Sequence, residues 1–436
     1  MKQLTIFVFL FVSLLKIHAQ SLYFPPLTGN TWETLSPDSL GYCEDRIDAL
    51  YDLLENNNTK AFLLLKDGRI VLEKYFGTFT QDSVWYWASA GKSMTAALVG
   101  IAQQEGLLSI GDKTSDYLGT GWTACPPDKE DLITVKNQLS MTSGLDDGVP
   151  EHYCTLDTCL IYKADAGTRW AYHNGPYTLL DGVIEAASGQ NFNLFFNQKI
   201  TQKTGISGLW VQSGYNNVLF SKARSMTRYG LLMLNNGTWN NTPVLTDPAY
   251  FQAMTTPSQD LNQSYGYLWW LNGQPSYKLP GLQINIPGPL FPAAPDDVYA
   301  ALGKNGQFIN VSPSTGLVMV RMGDSPGTDA EVPALFNDDI WVKINELVCE
   351  PSAVDNQKEA LGSLQVYPNP AHDFVQLGGL DTALPFQVEV FDALGRRVLA
   401  CVEDCSKLAV GNLGNGVFQV VARQDGKVFS GRMLVE

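Results

Sequence analysis

A chain of 436 residues, 45% hydrophobic and 17% charged, has an ordinary globular mixture, which excludes the disordered and fibrous classes and predicts two domains. Its formal charge of -15 repels phosphate backbones and excludes nucleic acid as an expected partner.

Residues 1–20 read as a secretory signal peptide. Lys2 gives the positive start, Leu4 to Leu15 is apolar, and Ala19-Gln20 precedes Ser21. The apolar run is too short to span a bilayer comfortably. No later stretch approaches about eighteen apolar residues, so no transmembrane segment is expected. Export places the seven cysteines where disulfides persist. Cys154 with Cys159 and Cys401 with Cys405 are spaced to close short loops. Cys43, Cys125 and Cys349 are not paired by the sequence.

Residues 21–350 read as one continuous domain of helices alternating with short strands. Within it, Ser89-Ala90-Gly91-Lys92 opens a helical period that carries Met94, Leu98 and Ile101 on one stripe and ends at Gly106. Ser89 and Lys92, three apart, share a helix face near the positive end of the dipole. The plain alternative makes Ser89 a helix cap and Lys92 a solvated charge. The same spacing at Ser13 and Lys16 of the signal peptide carries no meaning, so context decides.

Histidine is scarce. Beyond the signal peptide only His152, His173 and His372 remain, and no serine lies in a Gly-x-Ser-x-Gly elbow. A serine nucleophile here needs another base, and lysine is the usual substitute. Tyr172-His173-Asn174 follows about 80 residues after Ser89 and precedes a further helical stretch from Tyr177 to Ala187. A tyrosine beside a lysine can relay a proton. Free Tyr and Lys have pKa values of about 10 and 10.4, so the proton can rest on either member. A neutral Lys92 at pH 7 needs its pKa lowered to about 7, at a cost of roughly 4 kcal/mol. No metal or organic cofactor is implied, and His152 beside Cys154 is a poor zinc signal. Trp85, Trp87, Trp269 and Trp270 read as core residues first and cleft-lining residues second.

Residues 351–362 are polar and rich in small residues and read as a linker. Residues 363–436 carry alternating runs such as Phe386, Val388 and Val390. A turn at Asp392 to Gly395 and a hairpin signal at Asp425-Gly426 complete the signature of a small β-sandwich.

Two resemblances follow from these motifs. Ser89-x-x-Lys92 and Tyr172-x-Asn174, with Thr142-Ser143-Gly144-Leu145 and Tyr265 to Trp270, resemble the class C β-lactamases, DD-peptidases and related esterases over residues 60–348. The resemblance implies an α/β (α+β) core, an antiparallel sheet flanked by helices, with an all-helical lobe. It implies Ser89 as nucleophile, Lys92 and Tyr172 as proton carriers, and Asn174 holding either Lys92 or a substrate amide. The family's Lys-Thr-Gly element is not Lys203-Thr204-Gly205, which lies too close to Asn174. Ala301-Leu302-Gly303-Lys304-Asn305-Gly306-Gln307 resembles instead the corresponding element of 6-aminohexanoate-dimer hydrolase-like members. In that register Gly303 lets substrate approach, and the N–H groups of Ser89 and Lys304 form an oxyanion hole. Ala301 stands where lactamases keep a lysine. The implied activity is therefore hydrolysis of a small-molecule ester or amide, with β-lactam or D,D-peptide hydrolysis and a non-catalytic binder as alternatives.

The tail, through Tyr367-Pro368-Asn369-Pro370, Val390-Phe391-Asp392 and Gly416-Val417-Phe418, resembles the C-terminal sorting domain of type IX secretion. That resemblance implies the secretion machinery as partner and a secreted or outer-surface location.

Overall fold

Ala61 to Leu65 is an unbroken apolar run, and all five residues are buried. Such a run suits a strand covered on both faces. It lies in the strand Thr59–Lys66, inside a six-stranded sheet. The order across that sheet is Arg69–Tyr75, Thr59–Lys66, Leu317–Gly323, Gln307–Ser312, Tyr299–Gly303 and Trp270–Leu271. Every adjacent pair is antiparallel, with Leu63 opposite Val320 and Val320 opposite Ile309.

In this computed structural model the described residues are 22–327, 330–349, 362–381, 384–392, 396–402, 405–425 and 427–436. The expected signal peptide lies outside them. So do residues 351–361 of the expected linker, three residues of the turn at 392–395, and Gly426.

Helices Glu44–Asn56 and Ala334–Asn345 pack together beside the sheet. Helix Ala223–Leu234 packs onto the central strands. Gly230 allows that approach, since a Cβ there would fall 2.4 Å from Val318. A long insertion between Arg69–Tyr75 and Trp270–Leu271 holds the remaining α-helices. A small three-stranded sheet of Val84–Tyr86, Asn216–Lys222 and Gly208–Ser213 joins them.

The helix expected after Ser89 spans Gly91–Gln104. It is not one-sided: every residue from Gly91 to Ala102 is buried. Tyr229 and Tyr250 donate to the carbonyls of Ser93 and Ala96 at 2.6 and 2.7 Å, so neighbouring helices cover the sides that the Met94 stripe does not. The segment expected as one helix from Tyr177 is divided, as Asn174–Thr178 and Leu180–Ser188.

The chain divides into two compact units at Cys349/Glu350. The second unit has a five-stranded and a three-stranded sheet. In Gly416–Gln424 the buried positions alternate through Phe418, Val420, Ala422 and Gln424. Phe418, Val420 and Ala422 share a core with Val375, Val388, Val390 and Met433, as expected of a small sandwich.

Disulfides join Cys154 to Cys159 and Cys401 to Cys405. A third joins Cys43 to Cys349 and ties the start of the first long helix to the end of the first unit. Cys125 is free. Among the described residues no helix is long and apolar enough to cross a membrane.

Candidate active site

The segment entering the central helix is bent by design. Trp87 is anchored twice, its backbone N–H on the Leu219 carbonyl at 2.8 Å and its indole N–H on the Ser221 hydroxyl at 2.7 Å. The next residue, Ala88, has φ of 46°, in the left-handed region that disfavours a side chain. A 3-10 turn, Ala88–Ala90, then leads into the helix. This bend leaves Ser89 half-buried while both its neighbours in the helix core, Ala90 and Lys92, are buried.

The Lys92 amine donates to the Ser89 hydroxyl at 2.9 Å. It also sits over the rings of Tyr177 and Tyr172, at 4.3 and 5.1 Å from their centroids. Among the described residues no carboxylate forms an ion pair with it. Burial disfavours the ammonium form and pulls the Lys92 pKa down to about 7, partly opposed by the Glu331 carboxylate. Burial pushes the Tyr172 phenol's pKa well up, and the Ser89 side chain opposes it only in part. The lysine is therefore the member of the pair able to be uncharged and basic near pH 7, while the tyrosine keeps its proton. Tyr172 stacks on Trp270 at 5.7 Å and meets the edge of Tyr265 at 6.2 Å, which fixes its ring. Trp87, Trp269 and Trp270 are buried, as core aromatics.

Gly303 ends its strand against the turn at Ser89. A Cβ there would lie 2.5 Å from the Trp87 carbonyl oxygen and 3.1 Å from the Ser89 nitrogen. Its φ of −126° is ordinary, so space and not conformation demands glycine. Lys304 is exposed and follows directly, and Asn305 takes φ of 62°. Two residues build this turn. Arg321, fully buried, donates to the carbonyls of Asn305 and Gly306 at 2.7 and 2.8 Å. Gln307 exchanges hydrogen bonds with the Gly323 backbone. Lys203 lies on the surface with its amine on the Pro243 carbonyl, so Lys203-Thr204-Gly205 is an ordinary helix end.

Asn174 heads the helix Asn174–Thr178 and is buried. Its side-chain oxygen takes no hydrogen bond among the described residues. It therefore does not grip Lys92 through that oxygen, one of the two expected roles, and a buried acceptor is left open. His173 is buried with neither ring nitrogen bonded among the described residues, and burial lowers its pKa to about 4, so it is neutral at pH 7.

The sequence reading passed over Glu331. Its Oε1 is 2.9 Å from His152 Nε2 and accepts from the Tyr153 hydroxyl at 2.8 Å. It borders, with Tyr172, Asp147 and His152, a cavity of about 280 Å³. His152 thus faces a carboxylate, and Cys154 is committed to its disulfide.

Comparison with known proteins identifies the families of both units. The model of the Beta-lactamase family matches residues 59–338, and that of the secretion system C-terminal sorting domain matches residues 365–436. A putative beta-lactamase from Bacteroides dorei is 18% identical with a TM-score of 0.56, over 70% of this chain and 99% of its own. A putative 6-aminohexanoate-dimer hydrolase from Bacillus anthracis is 18% identical with a TM-score of 0.56, over 74% and 89%. A family VIII carboxylesterase is 16% identical with a TM-score of 0.52, over 70% and 98%. At these identities the solved structures share the fold.

Proposed function

The chain belongs to the beta-lactamase family of serine hydrolases and carries a type IX sorting domain that directs it to the outside of the cell, and on that premise we propose that it hydrolyses a small ester or amide through an acyl-enzyme on Ser89. The observation that carries the reading is the 2.9 Å bond from the buried Lys92 amine to the Ser89 hydroxyl.

Neutral Lys92 takes the proton as Ser89 Oγ bonds to the substrate carbonyl carbon. The carbonyl oxygen becomes an oxyanion, received by the N–H groups of Ser89 and Lys304. Tyr172 passes a proton to the leaving oxygen or nitrogen and is reprotonated from Lys92. The carbon–leaving-group bond breaks and an acyl ester on Ser89 remains. Water then attacks that ester by the same proton route and releases the acid. Asn174, with its open acceptor, suits a substrate N–H.

Ala301 argues against penicillin as substrate, because no lysine stands at that position to hold a carboxylate. The test is a fluorophosphonate probe read by intact mass, alongside short-chain nitrophenyl esters and nitrocefin. One adduct on Ser89, with ester turnover abolished in Ser89→Ala, supports the reading. No adduct makes the protein a binder. Nitrocefin turnover exceeding ester turnover makes it a lactamase.

A further inference from the structure

A second cavity, of about 190 Å³, is lined by residues from 27–32, from 205–207 and from the start of the helix Ala223–Leu234. Lys222, Arg224 and Arg228 line it, and no carboxylate does. In a chain of formal charge -15 that is a local reversal of sign. The three cations are not equivalent. Arg224 is held by both oxygens of Glu73, and Lys222 meets the exposed Asp82. Arg228 is only 6% exposed, and among the described residues no carboxylate forms an ion pair with it. Its two terminal nitrogens donate to the carbonyls of Thr204 and Pro26, and it lies 5.4 Å from the ring centroids of both Trp32 and Trp239. Those contacts fix the guanidinium and leave its charge unneutralised. Burial and the neighbouring Arg224 pull its pKa down to about 10, the direction expected of a buried cation without an anion. Neutral donors stand beside it. The Ser207 and Ser225 hydroxyls are 3.0 Å apart, and the Ser225 oxygen also accepts from the Ser207 N–H. One bond between two hydroxyls uses one proton, so the second O–H remains to be given. The helix itself starts here without a side-chain cap.

We propose that this cavity binds one tetrahedral oxyanion, a phosphate or sulfate group, seated against Arg228 with Lys222, Ser207 and Ser225 around it. A buried guanidinium without a carboxylate gains most from an anion, because little solvent screens the pair. Guanidinium, ammonium and hydroxyl donors that converge from separate segments match oxygens set at tetrahedral corners. A planar carboxylate satisfies the fork of one arginine and leaves the other donors unmet. The group is carried either by the free ion or by an ester of a larger molecule. None of these lining residues borders the cavity beside Tyr172, so the site is separate from the proposed acyl chemistry and does not depend on it.

The experiment is calorimetric titration of the full chain at pH 7 and constant ionic strength with inorganic phosphate, inorganic sulfate, methyl phosphate and acetate. Phosphate or sulfate should bind once per chain, at least about tenfold more tightly than acetate. Arg228→Gln removes the unneutralised charge and should weaken that binding at least about tenfold. Thr31 is an exposed lining residue, so Thr31→Glu sets a carboxylate among the cations without touching the core. It should weaken phosphate by about the same factor. Thermal melts confirm that each variant folds, and Thr31→Glu decides alone if Arg228→Gln does not. Methyl phosphate binding as tightly as inorganic phosphate assigns the site to a phosphate ester, and weaker binding assigns it to the free ion. Absence of saturable heat, equal affinity for acetate, or affinity unchanged in folded Thr31→Glu overturns the proposal.

Discussion

Gly303 and Trp87 approach so closely that a methyl group on the glycine would sit 2.5 Å from the tryptophan's carbonyl oxygen. Both sides of that contact are backbone, so neither yields by a rotamer change. Gly303→Ala should push the strand off the turn bearing Ser89 and destabilise the fold by about 2 kcal/mol. A displacement of the order of 1 Å should also lower kcat about 100-fold. Urea unfolding and ester kinetics on the same preparation measure both.

Lys92→Met separates chemistry from stability. Activity should fall about 10³–10⁴-fold, because the base is gone. Stability should rise. The native lysine titrates near 7 against 10.5 for the free group, so its penalty starts as pH falls below 10.5 and is complete below about 7. The variant's advantage should therefore be on the order of 2 kcal/mol at pH 6–7 and vanish towards pH 10.5. Melts across that pH range give the slope.

Tyr172→Phe removes one hydroxyl and leaves the stack on Trp270 intact. Loss of the relay should reduce kcat/KM about 10²–10³-fold. Stability should change by less than about 1.5 kcal/mol. A variant as active as wild type would limit the proton traffic to Lys92.

The pH profile should show an ascending limb in kcat/KM centred near 7, where Lys92 gives up its proton. Glu331 holds that proton in place, so Glu331→Gln should move the limb to lower pH. A shift to higher pH would assign the limb to another group.

Cys43→Ser with Cys349→Ser opens the longest covalent loop in the protein. The double variant should lose about 3 kcal/mol. Its kcat at 25 °C should match wild type, because neither sulfur belongs to the cleft. Thermal melts and initial rates decide.

How much of this the sequence carries depends on range. Ser89 and Lys92 lie within one helical turn, so their meeting follows from spacing alone. Tyr172 joins them from about 80 residues on, and only the resemblance brought it there. The alternating tail strands were legible because a half-buried strand repeats every two residues. The central helix carries a stripe in its sequence but is buried on all sides, since covering by Tyr229 and Tyr250 is tertiary. Arg321 and Glu331 had no signal at all. One supports the turn at Gly303 from a different strand, and the other faces His152 from 179 positions away. The Cys43–Cys349 pair, 306 residues apart, was equally silent.

That bridge closes the first unit into a covalent ring whose clasp comes before the sorting module begins. Cutting the chain between Cys349 and Gln365 releases the delivery label without unfastening the clasp. The exported chain can shed its address and keep Cys43 tied to Cys349.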